Sequence, residues 1–464
     1  MRKASKIYAL LGVLLVISGA AFAVSRYEEK KEQIKNSGEI ILEIPTDSVT
    51  ALSWTNEEGT WSFTKDETWT YDGDAAFPVD EEKINDLLNQ FQSFGAAFTI
   101  EEVTDFGQYG LDKPVCTISI TAGEDSYTVQ LGDFSKMDEE RYLSIGDGNA
   151  YLAVHDPLEE FDAVLRDMIL DDTVPEFDTA QEIRFQGQEN YTVTREEDTK
   201  SLCAEDVYFT DGKPLDTDNV DSLMKQVENL SLTDYVSYNV TSEGLTAFGL
   251  DNPELTIALD YTTEDGETGT VNLSLSQNPE EKAAYEKAVE QNEEDLPDVT
   301  CYARLGDSQI VYEITQSTYD KLTAVSYNTL RHQELFTGDF DTVTSIEVTL
   351  GGETSTFTYT PAEKEDEEGT WTYGETEFDV SDLKNALLDL TAAEFTEEKP
   401  TGQEEISVTL HLDDEDFPLW KLTLYRYDGA NCIATVDGSP VALVSRSQTV
   451  ALTEAVNAVI LGNP

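Results

Sequence analysis

The chain has 464 residues and carries 94 acidic against 29 basic side chains, which gives a formal net charge of −65. A surface of that sign repels phosphate groups, so we exclude a protein that binds nucleic acid or anionic lipid headgroups. Hydrophobic residues nevertheless make up 39% of the sequence, more than a disordered acidic tail contains, and this predicts folded domains. We interpret the acidic side chains as solvated faces and turns rather than as dedicated calcium ligands.

The first 36 residues are predicted to tether the chain to a membrane. Arg2, Lys3 and Lys6 precede an uncharged run at residues 7–24. As a helix this run would extend about 27 Å, close to the roughly 30 Å of a bilayer core. We favour a retained single-pass signal anchor in the cell membrane, with a short stalk and the bulk of the chain extracytoplasmic. The alternative is cleavage after Ala23, because residues 21–23 resemble a signal-peptidase site.

Three later stretches repeat one amphipathic pattern. Each has an aspartate followed by small or apolar residues at positions +4, +7, +8, +11 and +14, the spacing of one stripe on a helix. The aspartate can accept backbone N–H groups as an N-cap, so each stretch predicts a helix that begins there. We therefore interpret the chain as a repeat protein. The three sets are Asp80, Ile84, Leu87, Leu88, Phe91 and Phe94; Asp216, Val220, Leu223, Met224, Val227 and Leu230; and Asp379, Leu383, Ala386, Leu387, Leu390 and Ala393.

Short alternating runs rich in β-branched and aromatic residues surround each predicted helix and indicate antiparallel strands joined by hairpins. Each repeat closes with a hairpin followed by a last amphipathic segment, of which those in the first and third repeats are examples. The second repeat carries an extra segment at residues 278–298 with a helical centre at residues 280–290. The predicted strands are residues 49–54, 61–64, 68–71 and 116–120; 181–185, 191–193 and 255–259; and 343–348, 357–359 and 371–373. The closing hairpins are residues 142–154, 302–314 and 432–444, and the last amphipathic segments are residues 158–169 and 450–460.

The predicted fold class is α+β, with tandem repeats of an antiparallel sheet, amphipathic helices packed on it and one N-terminal transmembrane helix. Residues 1–36 form the cytoplasmic tip, the signal anchor and the stalk. Residues 37–175 form α+β repeat 1, residues 176–336 form repeat 2, and residues 337–464 form a degenerate repeat 3.

The anchored N-terminus, the tryptophan-containing hairpins, the aspartate-led helix and the phrase Tyr-Gly-Leu-Asp-Lys-Pro at residues 109–114 resemble the domain of unknown function 4340 family of bacterial proteins. The resemblance covers residues 40–335, and the third repeat departs from it because it lacks the phrase. It implies no known enzymatic activity. It also implies a link to ABC-transporter components, beside which some members are encoded. No functional residue is carried over.

No residue is predicted to be catalytic, to bind a cofactor or to ligate a metal, and we expect a protein that is not an enzyme. Ser62 and Lys65 have the S-x-x-K spacing, but that stretch is predicted to be a strand rather than a helix. The three histidines, His155, His332 and His411, fall in different repeats without ligand-like spacing.

The four cysteines lack the C-x-x-C spacing of zinc or thioredoxin-like sites. Cys116 and Cys301 alternate with apolar residues, which favours buried thiols, while the even count in an exported chain leaves two disulfides open. The four are Cys116, Cys203, Cys301 and Cys432.

Two functions are consistent with these features. The first is a membrane-anchored extracytoplasmic interaction or scaffold protein, accessory to an ABC-transporter system, with membrane-transporter subunits or cell-envelope components as partners. The alternative is a carbohydrate- or cell-wall-binding protein, or with less support a carboxylate-dependent hydrolase. The alternative requires an exposed aromatic row, whereas we favour core positions for the hairpin tryptophans. These tryptophans are Trp54, Trp61, Trp69 and Trp371.

Overall fold

The computed structural model describes residues 38–362 and 369–462. Within these ranges, no helix combines the length and the apolar character that crossing a bilayer requires. The predicted anchor at residues 7–24 and the stalk that follows it lie outside the described residues.

The described chain forms three nine-stranded antiparallel sheets accompanied by short helices, which confirms the predicted α+β class. The first sheet contains β1 (Glu39–Leu42), β2 (Val49–Thr55), β3 (Thr60–Lys65), β4 (Trp69–Tyr71), β5 (Phe94–Ile100), β6 (Cys116–Ala122), β7 (Asp125–Ser135), β8 (Glu140–Ser144) and β9 (Ala150–Ala153). The second contains β10 (Thr179–Gln186), β11 (Tyr191–Arg195), β12 (Tyr208–Thr210), β13 (Lys213–Pro214), β14 (Tyr235–Ser237), β15 (Leu255–Thr262), β16 (Thr268–Gln277), β17 (Cys301–Leu305) and β18 (Val311–Ile314). The third contains β19 (Val343–Leu350), β20 (Glu353–Thr360), β21 (Thr370–Tyr373), β22 (Thr376–Phe378), β23 (Glu394–Phe395), β24 (Glu404–Leu412), β25 (Leu419–Arg426), β26 (Asn431–Val436) and β27 (Ser439–Ser445).

The three sheets share one strand order. In each, the first hairpin strand (β2, β10 or β19) pairs with the second strand after the repeated helix (β6, β15 or β24). The short strand directly after the helix (β5, β14 or β23) lies beside the last strand of the closing hairpin (β9, β18 or β27). The sheets differ at one end, where β1 extends the first sheet beyond β5, and at the other, where β13 and β22 extend the second and third.

The register repeats as well as the order. Each central pairing contains an irregularity of the ladder at its first residues, between Val49 and Ala51, between Ala180 and Glu182, and between Val343 and Ser345. A bulge of this kind increases the local twist and fixes which face of the strand is buried. The next apolar residue then meets an equivalent buried partner in every sheet. These pairs are Leu52 with Ile120, Ile183 with Leu259, and Ile346 with Leu410.

The helices flank these sheets. They are α1 (Glu81–Asn89), α2 (Leu158–Phe161), α3 (Thr217–Glu228), α4 (Pro279–Glu290), α5 (Gln316–Thr323), α6 (Tyr327–Leu330), α7 (Ser381–Leu388) and α8 (Arg446–Ile460). The predicted helix in the extra segment of the second repeat is α4, and Ala288 is its buried residue. The predicted segment at residues 158–169 is interrupted, since α2 is followed by a separate 3-10 turn at Leu165–Met168.

The repeated helices are shorter than the apolar pattern predicts. α1 ends at Asn89, and Phe94 is already the first residue of β5. Phe91 and Phe94 are nevertheless fully buried, so the pattern identified core positions but assigned the last of them to the wrong backbone conformation. In the third repeat the final position, Ala393, is exposed. An apolar residue at a helical spacing predicts burial more securely than it predicts helix, because strands also present buried residues.

Aspartate caps begin two of these helices. Asp80 accepts the backbone N–H groups of Glu82 at 2.9 Å and Lys83 at 3.4 Å, and Asp216 does the same at the start of α3. The prediction for the third repeat is wrong by one residue. There Val380 immediately precedes α7, and Asp379, one residue earlier, accepts the backbone N–H of Ser381 at 2.8 Å.

The cores lie where the apolar faces of sheet and helix meet. In the first sheet Trp54 stacks on Phe63 with ring centroids 5.5 Å apart, and its Nε1–H donates to the carbonyl oxygen of Ala163 at 2.8 Å. The residues of the helical stripe that lie at position +4, Ile84, Val220 and Leu383, are all buried.

The packing of residues divides the chain into two compact units. One comprises the described residues up to Asp172 together with Val236–Val240, and the other comprises Thr173–Tyr235 and the described residues from Thr241 onward. The third sheet therefore falls in one compact unit with the second, apart from Val236 and Ser237 of β14.

Candidate functional site

A cluster of metal-ligating residue types lies in the second compact unit. Cys203 and Asp206 belong to the loop between β11 and β12, and His332 follows α6. One ligand atom from each of the three side chains lies within 4.8 Å of the other two. We call Cys203, Asp206 and His332 the Cys–Asp–His cluster.

The buried carboxylate of Asp206 is the centre of this cluster. Its side chain is 1% exposed, and His332 Nε2 lies 2.8 Å from its Oδ1. The other carboxylate oxygen, Oδ2, accepts the hydroxyl of Ser201 at 2.7 Å. A carboxylate this deeply buried requires such partners, because desolvation strongly disfavours an unpaired charge.

The loop is held in place by the start of α3. The Thr217 hydroxyl donates to the carbonyl oxygen of Glu205 at 3.1 Å and accepts the backbone N–H of Val207 at 3.1 Å. A turn closes the loop, in which the N–H of Asp206 donates to the carbonyl oxygen of Cys203 at 3.2 Å. These backbone contacts fix the two loop side chains toward the imidazole.

A second carboxylate faces the other side of the histidine ring. His332 Nδ1 lies 3.7 Å from Oδ2 of Asp216, the residue that caps α3. The N–H of Asp216 donates to the carbonyl oxygen of Leu330 at 3.0 Å, which brings the helix start and the histidine segment together. The imidazole therefore lies between two carboxylates, one at each ring nitrogen.

The charges of the cluster shift two titrations. Burial acts to lower the pKa of His332, but the hydrogen bond and charge of Asp206, with the charges of Asp216 and Glu334, outweigh it and raise the pKa above its ordinary value. Burial raises the pKa of the Cys203 thiol, and the neighbouring Asp206 adds to the rise. A nucleophilic cysteine needs a lowered thiol pKa, so the raised pKa of Cys203 does not favour nucleophilic catalysis.

No local spacing in the sequence predicts this cluster, because its members are far apart along the chain. Asp206 and His332 are separated by 126 positions. The other histidines do not join them: the ring of His155 packs edge-on against Phe94 at 5.0 Å, and His411 Nε2 lies 3.4 Å from Glu347 Oε1. Only a prediction of the tertiary contacts would have identified the cluster, since no local spacing marks it.

All four cysteines are free thiols, so the preference for thiols over disulfides is confirmed. Cys116 and Cys301 are buried, as their alternation with apolar residues predicted; Cys432 is also buried, whereas Cys203 is partly exposed. Cys203 is therefore the thiol that solvent and ions reach most readily.

A groove of about 1150 Å³ is also present in the second compact unit. Glu254 is tied within it, because its Oε2 accepts Lys282 Nζ at 2.6 Å and the Tyr319 hydroxyl at 2.9 Å. Amide side chains supply much of the remaining polar lining. They are Gln186, Gln188, Asn252 and Gln277.

The tryptophans contribute no open surface. All five have exposed fractions between 1% and 8%, as the preference for core positions predicted. They are Trp54, Trp61, Trp69, Trp371 and Trp420.

Two overlapping stretches of the chain, residues 69–253 and 209–407, match a family described as Domain of unknown function (DUF4340). The stretches begin in β4 and β12, which occupy the same place in the first and second sheets. The second stretch ends in β24, so the match continues into the third sheet, past residue 335 where the resemblance in the sequence weakened. No curated protein and no solved structure matches the chain. With residues 69–407 covered, the chain belongs to the domain of unknown function 4340 family.

Proposed function

We propose that this protein is a membrane-anchored extracytoplasmic interaction or scaffold protein, accessory to an ABC-transporter system, and that it is not an enzyme. The apolar run at residues 7–24 would supply the anchor, and the sheet-containing units would supply the binding surface. Membrane-transporter subunits or cell-envelope components are the proposed partners. The link to transporters rests on the family resemblance.

The burial of every tryptophan is the observation that carries this proposal. Sugar recognition by stacking needs an aromatic face open to solvent, and the tryptophans that motivated the carbohydrate-binding alternative have none. Their rings instead pack within the sheets, as Trp54 does on Phe63. The alternative therefore loses its main support.

The groove of the second compact unit fits a polypeptide partner. Amide side chains both donate and accept hydrogen bonds, as a peptide backbone requires. Glu254 is already paired with Lys282 and Tyr319, and the two other acids of the groove accept neutral donors, Glu189 the backbone N–H of Tyr327 and Asp320 the Gln316 amide. A partner therefore meets amides together with two hydrogen-bonded carboxylates. A groove of this kind offers direct hydrogen bonds at modest desolvation cost.

Site-specific photo-crosslinking in the cells that produce the protein tests this proposal. A photoreactive residue at Gln188, which is exposed and lines the groove, is expected to capture a membrane-transporter or envelope protein. The matched control is the same residue at Asp265, which is exposed in the turn between β15 and β16. Equal capture at both positions, or capture of glycan alone, would refute the proposed interaction site.

Fractionation tests the proposed location independently of the partner. The full chain is expected to sediment with membranes, resist carbonate extraction and dissolve in detergent. External protease should then digest the sheet-containing units while the N-terminus is spared. A soluble form beginning near Val24 would indicate cleavage after Ala23 instead, and protection from protease until the cells are permeabilised would contradict an extracytoplasmic location.

A further inference from the structure

We propose that the Cys–Asp–His cluster is a zinc-binding site, with Cys203 Sγ, a carboxylate oxygen of Asp206 and His332 Nε2 as the three protein ligands. This site goes beyond the proposed interaction role and does not depend on any partner. A water molecule would occupy the fourth position of the tetrahedron, because the cluster supplies three donors and Cys203 is partly exposed.

The donor set selects the metal. Thiolate and imidazole favour zinc and related transition metals, whereas calcium and magnesium prefer oxygen ligands alone. The side chains of the 94 acidic residues offer oxygen ligands alone, with no sulfur or nitrogen. The combination of Cys203 and His332 therefore distinguishes this cluster chemically from the rest of the acidic surface.

The spacing of the ligand atoms suits an ion with little rearrangement. Zinc bonds of about 2.0–2.3 Å place two tetrahedral ligands roughly 3.5 Å apart. The three ligand atoms lie within 4.8 Å of one another, and His332 Nε2 is 2.8 Å from Asp206. Binding requires this hydrogen-bonded pair to part by about 0.7 Å and the thiol to approach by up to about 1.3 Å.

Asp216 supplies the outer contact that a zinc-bound histidine needs. Histidine ligands commonly direct their second ring nitrogen at a carboxylate, which fixes the ring and increases its basicity. His332 Nδ1 faces Asp216 Oδ2 at 3.7 Å, and Asn219 Nδ2 holds that same oxygen at 3.0 Å. The Asp216 carboxylate is thus at ion-pair distance from the imidazole, and an approach of about 0.5 Å would form the outer hydrogen bond.

A structural tie is the competing explanation, in which Asp206 and His332 only fasten the loop to the segment after α6. The two explanations differ in the role of Cys203. A tie needs the carboxylate and the imidazole but not the thiol, whereas a zinc site needs all three. Cobalt separates them, because a cobalt–thiolate bond gives a near-ultraviolet charge-transfer band that carboxylates do not produce.

The experiment titrates the purified chain with Co²⁺ and then Zn²⁺ in excess Mg²⁺, which occupies the acidic surface. We expect one Co²⁺ per chain with a charge-transfer band, displacement by one Zn²⁺, and protection of Cys203 from alkylation as read by intact mass. Cys203→Ser should abolish the band, and His332→Ala should weaken Zn²⁺ binding strongly. His411→Ala is the matched control and should leave binding unchanged.

A matched pair of variants tests the role of the Asp216 carboxylate. Asp216→Asn keeps a good helix cap but removes the charge, so Zn²⁺ affinity should fall about 10- to 100-fold. Asp80→Asn changes the equivalent cap of α1 and should have no effect. The proposal is overturned if no thiolate band forms, or if Cys203→Ser, which keeps the Asp206–His332 pair and should fold normally, binds Zn²⁺ as tightly as the unaltered chain.

Discussion

Replacing Leu223 by Ala should destabilise α3 and the sheet beneath it. Leu223 is 2% exposed and lies in the apolar stripe with Val220, Met224 and Val227. The change removes about three buried carbon atoms, or roughly 2.4 kcal/mol of transfer free energy at about 0.8 kcal/mol each. With the cavity left behind, the loss of stability is expected to be about 2–5 kcal/mol.

Hydrogen exchange measured by mass spectrometry is the suitable assay, because a chain with two compact units does not unfold in one two-state step. Peptides that cover Thr217–Glu228 should lose protection by roughly 30- to 4,000-fold, since about 1.4 kcal/mol corresponds to a factor of ten. Ser222→Ala, at an exposed position of the same helix, is the control and should change protection little. Equal protection in the two variants would refute the assignment of Leu223 to the core.

Three further outcomes are expected. Asp80→Ala should lower the stability of α1 by about 1 kcal/mol because the helix loses its N-cap, while Asp80→Asn should lower it little. Hydrogen exchange of the α1 amides measures both changes, and equal effects would contradict the capping role of Asp80. Trp54→Phe should cost about 0.5–1.5 kcal/mol through the lost indole hydrogen bond, since the Ala163 carbonyl keeps Asn56 Nδ2 as a donor at 3.3 Å, as judged by the denaturation midpoint of the first compact unit. Trp69→Phe should cost less, since Trp69 Nε1 has no hydrogen-bond partner within the described chain, and the reverse order would contradict the argument. Burial raises the pKa of the Cys301 thiol to about 11. The stability that the protonated thiol contributes is therefore complete below pH 9 and is lost as the pH rises through 11. Cys301→Ala should flatten the decline of Tm between pH 9 and 11, and an unchanged slope would contradict the raised pKa of this thiol.

The local structure follows from residues that are neighbours in the sequence. The caps at Asp80 and Asp216, the buried stripe at Ile84 and Val220, and the alternating strands were predictable because helix and strand periodicities depend on residues a few positions apart. The ends of the helices were not predictable in the same way. Phe94 is apolar at a helical spacing, yet it is buried as the first residue of β5 because pairing with β9 and β1 determines its conformation.

The sequence by itself determined the repeat, the fold class, the core positions of the tryptophans and the family resemblance. Only the tertiary structure decided the strand order and the meeting of Cys203, Asp206 and His332. Asp206 and His332 are 126 positions apart, and they meet because α3 and the end of α6 pack beside the β11–β12 loop. Such contacts depend on how whole elements pack, and a single sequence records the composition of each element but not its neighbours in space.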